Sequence, residues 1–294
     1  VYPRQALLNL SNRKTIRFNL TENLFSINKD NAHLYLQDII DKFLHDLNVK
    51  IWKNDLYKLH YFLMHIFITG VAGFLGSNLA DYYLKKGFRV SGSDNLIGGD
   101  IENVDPSVSF YKGNCENLEF MKQVTKNNVD VLCHAAAFAH EGLSSISPTL
   151  ICNNNVTGST AVFTAAVINK ITRIVYCSSM ARYGNIATPF KEEDLLKPVD
   201  PYGVSKVAAE NILKILCNTH GIEYNIAVPH NIIGPKQKFN DPYRNVVSIM
   251  TNLMLQDRSP LIYGDGEQTR CFSDIDDCVY CLDKLITDKN IVSE

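Results

Sequence analysis

Short apolar runs alternate with longer amphipathic stretches from Met64 onward. The runs are rich in β-branched and aromatic residues, and their apolar positions are largely consecutive, which is typical of parallel strands covered on both faces. They predict strands at 65–69, 88–94, 108–112, 129–135, 173–178 and 223–229. The stretches between them, such as 77–86 and 204–217, repeat apolar residues at helical spacing. This alternation predicts right-handed βαβ units and a doubly wound parallel sheet, which is an α/β fold.

The first 63 residues follow a different pattern. One amphipathic helix is predicted there, because a single helical face would carry Leu36, Ile40, Phe43, Leu44 and Leu47. The segments around it are rich in Asn, Lys and Arg and show no strand–helix alternation. We therefore predict a helical N-terminal extension that is foreign to the following domain, as a fusion or as upstream sequence read in frame. The alternative is a small added helical arm.

A glycine-rich turn follows the first predicted strand. Gly70, Gly73 and Gly76 have the spacing Gly-x-x-Gly-x-x-Gly between this strand and a predicted helix. Such a turn lets the backbone approach a pyrophosphate, to which the helix N-terminus offers free N–H groups. The second strand ends at Asp94, where a carboxylate can bind the ribose hydroxyls of a dinucleotide. Because this carboxylate would repel a 2′-phosphate, the pattern predicts NAD rather than NADP.

A tyrosine and a lysine four residues apart, Tyr202 and Lys206, lie at the start of another predicted helix. They share a helical face, so we expect the ammonium to lower the pKa of the tyrosine towards the range of an acid/base catalyst. Two more Tyr-x-x-x-Lys pairs begin at Tyr82 and Tyr280, but only Tyr202 follows a strand that ends in Ser178-Ser179. We interpret Tyr202 and Lys206 as catalytic and the other two pairs as packing or surface residues.

Composition and charge narrow the function further. The chain has 294 residues, of which 46% are hydrophobic and 20% charged, and a net charge of −2 gives no electrostatic case for nucleic acid or an anionic membrane. Eight irregularly spaced cysteines predict reduced thiols in a cytoplasmic protein rather than a disulfide framework or a zinc site. The apolar stretch at 61–76 is too short and too rich in glycine for a membrane span, and residues 1–4 do not open a signal peptide. We expect no metal, nucleic-acid or membrane partner.

Several further motifs carry a family resemblance. They are Thr69-Gly-x-x-Gly-Phe-x-Gly76, Asp94-Asn95, His134-Ala-Ala-Ala137, Asn154-Asn155-Val156-x-Gly158, Ser178-Ser179 before Tyr183-Gly184, Pro201-Tyr202-x-x-Ser205-Lys206, Asn231-x-x-Gly234-Pro235 and Gly264-Asp265-Gly266. From Met64 to its end, the sequence resembles the extended short-chain dehydrogenase/reductase family. Within it, the sequence is most similar to NAD-dependent nucleotide-sugar epimerases of the UDP-galactose 4-epimerase type.

This resemblance implies a Rossmann-type fold and a role for each matching residue. It divides the chain into an N-terminal extension (1–63), an NAD-binding domain with the catalytic residues (64–235) and a small, truncated substrate-binding domain (236–294). Ser179 would hold the reacting sugar oxygen, Tyr202 would be the acid/base, and Lys206 would be its partner and a nicotinamide-ribose ligand. The implied NAD contacts are Gly70, Gly73, Phe74, Leu75, Gly76, Asp94, Asn95, Asn114, Cys115, Ala135, Ala136, Ala137, Asn154, Tyr202, Lys206 and His230. The implied substrate contacts are Ser179, Asn231, Asn245 and Arg270.

The sequence departs from the family pattern in three places. Asn114 stands where an Asp near the adenine is usual, and Pro229 stands where an Arg is common. Met180-Ala181 follow Ser179, whereas the sugar 4,6-dehydratases of this family carry an Asp-Glu pair there for elimination. The sequence therefore predicts that the chain is not a dehydratase.

The implied activity is NAD-dependent epimerisation at C4 of a nucleotide-diphosphate sugar through a transient 4-keto form. The foremost substrates are UDP-glucose/UDP-galactose or the N-acetylated pair. The alternatives are an enzyme similar to UDP-glucuronate decarboxylase and a catalytically silent NAD-binding protein. The resemblance also implies a homodimer through two helices per subunit, at about 156–169 and 202–219.

The same resemblance predicts an incomplete enzyme. Its relatives continue beyond the position of Glu294 and gain there a seventh strand and a second diphosphate-binding Arg. We therefore expect this polypeptide to bind NAD but to turn over sugar nucleotides poorly, with lower stability than a complete relative. The alternative is a naturally short enzyme in which residues 1–63 cover the exposed sheet edge.

Overall fold

The structure is a computed structural model that describes residues 5–9, 15–19, 64–241, 245–262 and 264–293. Contacts divide it into two compact units, Val1–Lys58 and Leu59–Glu294. In the first unit, β1 (Gln5–Asn9) and β2 (Thr15–Asn19) form an antiparallel pair in which Gln5 lies opposite Asn19. This strand pair was not predicted, although β2 alternates polar and apolar residues as Thr-Ile-Arg-Phe-Asn. The helix predicted around Leu36–Leu47 lies outside the described residues.

The second unit is built on a six-stranded parallel sheet with the order β5-β4-β3-β6-β7-β8. Its strands are β3 (His65–Thr69), β4 (Arg89–Asp94), β5 (Ser109–Lys112), β6 (Val131–His134), β7 (Arg173–Cys177) and β8 (Glu223–Ala227). All six predicted strands are confirmed. Every residue of β3, β6 and β7 is buried, which explains why their apolar positions are consecutive. The order of the strands reverses between β3 and β6, where doubly wound sheets bind ligands.

Helices cover both faces of this sheet. The α-helices in the described part of this unit are α1 (Phe74–Lys85), α2 (Leu118–Val124), α3 (Glu141–Ile146), α4 (Pro148–Cys152), α5 (Gly158–Ile168), α6 (Pro201–His220), α7 (Val246–Leu255) and α8 (Ile275–Thr287). One hydrophobic cluster joins the sheet to α1 and α8 through Leu79 and Leu282, and a second joins it to α5 and α6 through Phe163 and Leu213. The doubly wound Rossmann-type architecture is therefore confirmed.

Helix α6 begins earlier than its apolar pattern predicts. The side chain of Asp200 caps it by accepting a hydrogen bond from the N–H of Gly203 at 2.8 Å, and Pro201 occupies the first helical position. The helix ends at Gly221, which has a left-handed φ of 67°. The cap matters for the site because it places Tyr202 in the first turn of α6.

The C-terminal segment packs back onto the sheet. The short strands β9 (Ile232–Ile233) and β10 (Ser273–Asp274) pair in parallel and lead into α8. The N–H of Ser293 donates to the carbonyl of Tyr224 on the edge strand β8 at 2.8 Å, which satisfies part of that edge. Leu59–Glu294 forms one compact unit. The division of this unit at residue 235 into an NAD-binding and a substrate-binding domain stays a prediction. Within the described ranges, none of the helices combines the length and apolar character that a membrane crossing needs.

Candidate active site

A cavity of about 580 Å³ opens at the carboxyl edge of the sheet. Its size lies within the range of small-molecule and cofactor pockets. Most of the residues implied by the resemblance line it: Gly70, Gly73, Phe74, Leu75, Gly76, Asp94, Asn95, Asn114, Cys115, Ala135, Ala136, Ala137, Asn154, Ser179, Tyr202, Lys206, Asn231 and Asn245. His230 and Arg270 are not among the lining residues, and Arg270 is exposed. The fold thus brings the predicted cofactor and catalytic residues into one cavity and leaves these two outside its wall.

The glycine turn forms a cradle that only glycine can build. Gly70 has a left-handed φ of 71°, and a Cβ on Gly76 would lie only 2.1 Å from the carbonyl oxygen of Gly70. Helix α1 begins directly after Gly73 without a side-chain cap, so its first N–H groups face the cavity without a side-chain acceptor. Such a helix N-terminus favours an anionic group. These features fit the pyrophosphate of a dinucleotide.

Asp94 is held rigidly at the end of β4. One carboxylate oxygen accepts the N–H of Ala72 at 3.1 Å, and the other accepts the N–H of Leu96 at 2.8 Å. Burial raises the pKa of this carboxyl, and the backbone hydrogen bonds oppose that rise. The carboxylate keeps lone pairs for ribose hydroxyls and would repel a 2′-phosphate. The site therefore fits NAD in the way that the sequence predicts.

Ser179, Tyr202 and Lys206 meet at the end of β7. Tyr202 and Lys206 are only 6% and 3% exposed. The Lys206 ammonium donates to the carbonyl of Cys177 at 2.8 Å and lies 5.8 Å from the centre of the Tyr202 ring. The Ser179 side chain lies beside the phenol of Tyr202, and its Oγ accepts the N–H of Ala181 at 3.2 Å. A hydroxyl, a phenol and an ammonium therefore converge on one wall of the cavity.

The electrostatics of this group differ from the sequence prediction. Burial raises the pKa of Tyr202 to about 12, the neighbouring Ser179 hydroxyl opposes the rise, and the carboxylates of Glu141 and Asp200 add to it. Burial also lowers the pKa of Lys206 to about 8. The expectation that Lys206 lowers the pKa of Tyr202 is therefore wrong for the protein without a bound cofactor. Loss of hydration raises this pKa by more than the neighbouring groups lower it.

The other two Tyr-x-x-x-Lys pairs have the packing and surface roles that the sequence predicts. The Tyr82 hydroxyl donates to Asp283 at 2.9 Å, and the Lys86 ammonium donates to the same carboxylate oxygen at 2.9 Å. These contacts join α1 to α8. Tyr280 lies on α8 and is 58% exposed. Neither pair lines the cavity.

Sequence reasoning missed a lining segment that directly follows the His134-Ala-Ala-Ala137 motif. Phe138 and Glu141 belong to this segment and face the same cavity. The amide oxygen of Asn154 accepts the N–H of Phe138 at 3.1 Å, so it orients this segment while it lines the cavity. The position of the segment just beyond a strand's carboxyl end was the available signal. Among the residues that the structure describes, no group of His, Cys, Asp or Glu is arranged to hold a metal ion.

Comparison with known proteins decides the family. The family model described as "NAD dependent epimerase/dehydratase family" matches residues 66–293. The chain belongs to this family. It is 33% identical over 211 residues to a putative UDP-glucose 4-epimerase of Methanocaldococcus jannaschii, covering 70% of this chain and 68% of that protein. It is 31% identical over 225 residues to a UDP-glucose 4-epimerase of Mycolicibacterium smegmatis, covering 74% of this chain and 71% of the relative.

Solved structures agree with this assignment. The UDP-glucose 4-epimerase of Thermotoga maritima with UDP-glucose has a TM-score of 0.71 at 29% identity, over 74% of this chain and 71% of that chain. The Thermus thermophilus UDP-glucose 4-epimerase in complex with NAD has a TM-score of 0.71 at 26% identity, over 76% and 75% of the two chains. The resemblance seen in the sequence is therefore confirmed. The protein is a nucleotide-sugar epimerase, and NAD is its cofactor.

Proposed function

We propose that the protein epimerises a UDP-hexose at C4, acting on UDP-glucose/UDP-galactose or on the N-acetylated pair. The observation that carries this proposal is the convergence of Ser179, Tyr202 and Lys206 on the cavity that also contains the glycine turn. A binding protein without turnover would have no need of all three groups at one point. Two solved structures of similar proteins support the substrate class by their names: a UDP-glucose 4-epimerase with UDP-glucose, and a UDP-N-acetylglucosamine 4-epimerase in complex with UDP-N-acetylmuramic acid.

Each of these side chains has a separate task. The Ser179 hydroxyl binds the O4 atom of the sugar and directs it towards Tyr202. The Tyr202 phenolic oxygen takes the O4 proton and later returns it as an acid. The buried Lys206 ammonium favours negative charge on the phenolic oxygen and holds the carbonyl of Cys177. NAD, when bound to the glycine turn and Asp94, supplies the hydride acceptor and donor that carry the sugar through a 4-keto form.

The remaining implied ligands belong to the nucleotide end of the substrate. Asn231 and Asn245 line the cavity and can donate amide hydrogens to a diphosphate. Arg270 is exposed, and its positive charge acts to lower the pKa of His230 and of Glu141, which lines the cavity. We assign Arg270 to the diphosphate and His230 to NAD as parts of the same proposal.

Tyr202→Phe tests the mechanism, and Tyr280→Phe is its matched control. Both changes remove one phenolic hydroxyl from a Tyr-x-x-x-Lys helical pair, but Tyr280 is 58% exposed and lies outside the cavity wall. We expect Tyr202→Phe to lower kcat by about 10²- to 10⁴-fold, as loss of a general acid/base does, and Tyr280→Phe to leave it unchanged. Product analysis by NMR with UDP-glucose and UDP-N-acetylglucosamine supplies the rates and the substrate preference.

The outcomes separate the alternatives. Undiminished turnover in Tyr202→Phe would contradict the mechanism. Pentose formation from UDP-glucuronate would favour a decarboxylase, and absence of turnover in the unmodified chain would favour a protein that only binds the nucleotide.

The cytoplasmic location predicted from the reduced thiols belongs to this proposal. The eight cysteines form no disulfide, which is consistent with a reducing compartment.

A homodimer through α5 and α6 is also part of the proposal. Val204 and Ile215 are 52% and 66% exposed, and their separation of three helical turns places them on one side of α6. Ile168 at the end of α5 is 49% exposed. If these side chains form the interface, Ile215→Asp should produce monomers in analytical ultracentrifugation. Leu261→Asp, at a residue that is 65% exposed outside both helices, should leave the dimer intact.

A further inference from the structure

A buried ion pair between Glu210 and Arg182 lies next to Ser178, and the mechanism above does not use it. The carboxylate of Glu210 on α6 is fully buried, and both of its oxygens lie 3.2 Å from Nη1 of Arg182, which is 8% exposed. The hydroxyl of Ser178 also donates a hydrogen bond to Glu210. Glu210 thereby binds the residue immediately before Ser179 and a residue three positions after it.

The position of Glu210 on α6 continues a regular series. Tyr202, Lys206 and Glu210 are spaced by four residues and share one face of the helix. Each of them faces the strand end at 177–179. The Tyr202 phenol lies beside the side chain of Ser179, and the Lys206 ammonium donates to the carbonyl of Cys177. Glu210 completes the series through the intervening serine.

The turn after Ser179 packs directly against the same helix. The N–H of Arg182 donates to the carbonyl of Ser179 at 3.1 Å, which closes the short helical turn Met180–Arg182. A Cβ on Gly203, in the first turn of α6, would lie 2.7 Å from the carbonyl oxygen of Ala181. The turn and α6 are therefore too close here for any side chain between them, and the Arg182–Glu210 pair ties the turn to the same helix.

We infer that Glu210 is a positioning residue for the epimerase reaction. By binding Ser178 and Arg182 it holds the Ser179 hydroxyl in place against the Tyr202 phenol. This inference rests on the roles proposed above for Ser179 and Tyr202. Burying a carboxylate and a guanidinium is costly even when they pair, so an apolar contact would serve stability at least as well. A fixed geometry at the reacting oxygen gives the ion pair a purpose that packing alone does not.

The charge of Glu210 has a second, measurable effect. It raises the pKa of Lys206 and so opposes the lowering caused by burial. The titratable groups that surround this ammonium are Cys177 and Tyr176 of β7, His134 of β6, and Tyr202 and Glu210 of α6. Without the Glu210 charge, Lys206 loses its proton at a lower pH. The alkaline limb of the kcat profile should then move to lower pH.

Glu210→Gln tests the inference, with Asp283→Asn as the matched control. Asp283 is also a buried acid, 6% exposed, and it accepts hydrogen bonds from Lys86 and Tyr82 away from the cavity. Both variants are loaded with NAD, and kcat, KM and the pH profile are measured. We expect Glu210→Gln to lower kcat by about 10- to 100-fold with little change in KM, because a misplaced hydroxyl slows the chemical step. Asp283→Asn should retain the kcat and the pH profile of the unmodified protein.

Amide hydrogen exchange gives a readout that is independent of turnover. Glu210→Gln should speed exchange in peptides covering 178–183, and Asp283→Asn should not. If Glu210→Gln does not fold, Ser178→Ala removes one hydrogen bond to Glu210 and keeps the ion pair with Arg182. This variant should also lower kcat and speed exchange at 178–183, both to a smaller degree. Unchanged kcat and unchanged exchange in the folded variant would overturn the inference. If the unmodified protein epimerises no nucleotide sugar, the proposed function fails, and the exchange data still decide whether Glu210 positions the turn.

Discussion

Replacing Gly76 by alanine should damage the NAD site without removing any polar group. The added Cβ would lie 2.1 Å from the carbonyl oxygen of Gly70 and 3.0 Å from the Cα of Val71. These are backbone atoms, so no side chain can rotate away to make room. The difference between 2.1 Å and the 3.4 Å at which ordinary contact begins means that the turn and α1 must separate by about 1.3 Å.

Two opposing contributions set the magnitude for stability. Overpacking costs about 1 to 3 kcal/mol, and alanine in a helix contributes about 0.5 to 1 kcal/mol in the other direction. The net loss of up to about 2.5 kcal/mol should lower the thermal midpoint by up to about 10 °C for a unit of this size. A loop displaced by about 1 Å also loses at least one hydrogen bond to the pyrophosphate. Such a bond is worth about 1.5 to 3 kcal/mol, which weakens the Kd for NAD by about 10- to 150-fold.

Thermal unfolding and calorimetric titration with NAD measure both effects. Gly158→Ala in α5 is the matched control, because its added Cβ would lie 3.6 Å from the nearest atom, which is ordinary contact. The control should be as stable as the unmodified protein or slightly more so, with an unchanged Kd for NAD. Equal behaviour of the two alanine variants would refute the cradle argument.

Two further predictions concern stability. Arg173→Met should lower the free energy of unfolding by about 2 to 3 kcal/mol in urea titration, because the buried guanidinium donates to the carbonyls of Leu285, Ile286 and Asp288 at the end of α8; an unchanged value would contradict this role. Burial lowers the pKa of His134 to about 3, so between pH 6.5 and 3 the unfolded chain binds a proton that the folded one does not. Stability should therefore fall by up to about 1.4 kcal/mol per pH unit below pH 6.5, and His134→Asn should show a shallower slope.

The sheet was predictable because its burial leaves a simple pattern. Strands such as β3 and β7 are buried along their whole length, and continuous apolar runs result. Elements without such a pattern escaped prediction. The pair β9 and β10 contains two residues per strand, too few to show any period. The strands β1 and β2 have five residues each, too few for the alternation in β2 to stand out in sequence from neighbouring segments rich in Asn, Lys and Arg.

The site was predictable only where its residues are close in sequence. The glycines of the turn lie within residues 70–76, and Tyr202 and Lys206 are four residues apart on one helix. Because these separations are short, the spacing in the sequence fixes the geometry. Glu210 acquires its role from Ser178 and Arg182, which lie about 30 residues away and on a different element. In the sequence it was one polar residue among several on an amphipathic helix. The period of four from Tyr202 was the only signal that could have found it.

The phenol of Tyr202 shows why proximity does not fix a pKa. The spacing correctly places Lys206 beside it, but the ammonium is directed at the carbonyl of Cys177, and burial raises the tyrosine pKa to about 12. At neutral pH the phenol therefore keeps its proton, and it can act as a base only when further positive charge enters the cavity. Oxidised NAD carries such a charge and reduced NAD does not. We expect the Tyr202 pKa, read by ultraviolet difference titration against Tyr202→Phe, to be lower with NAD⁺ than with NADH, and equal values would contradict the argument.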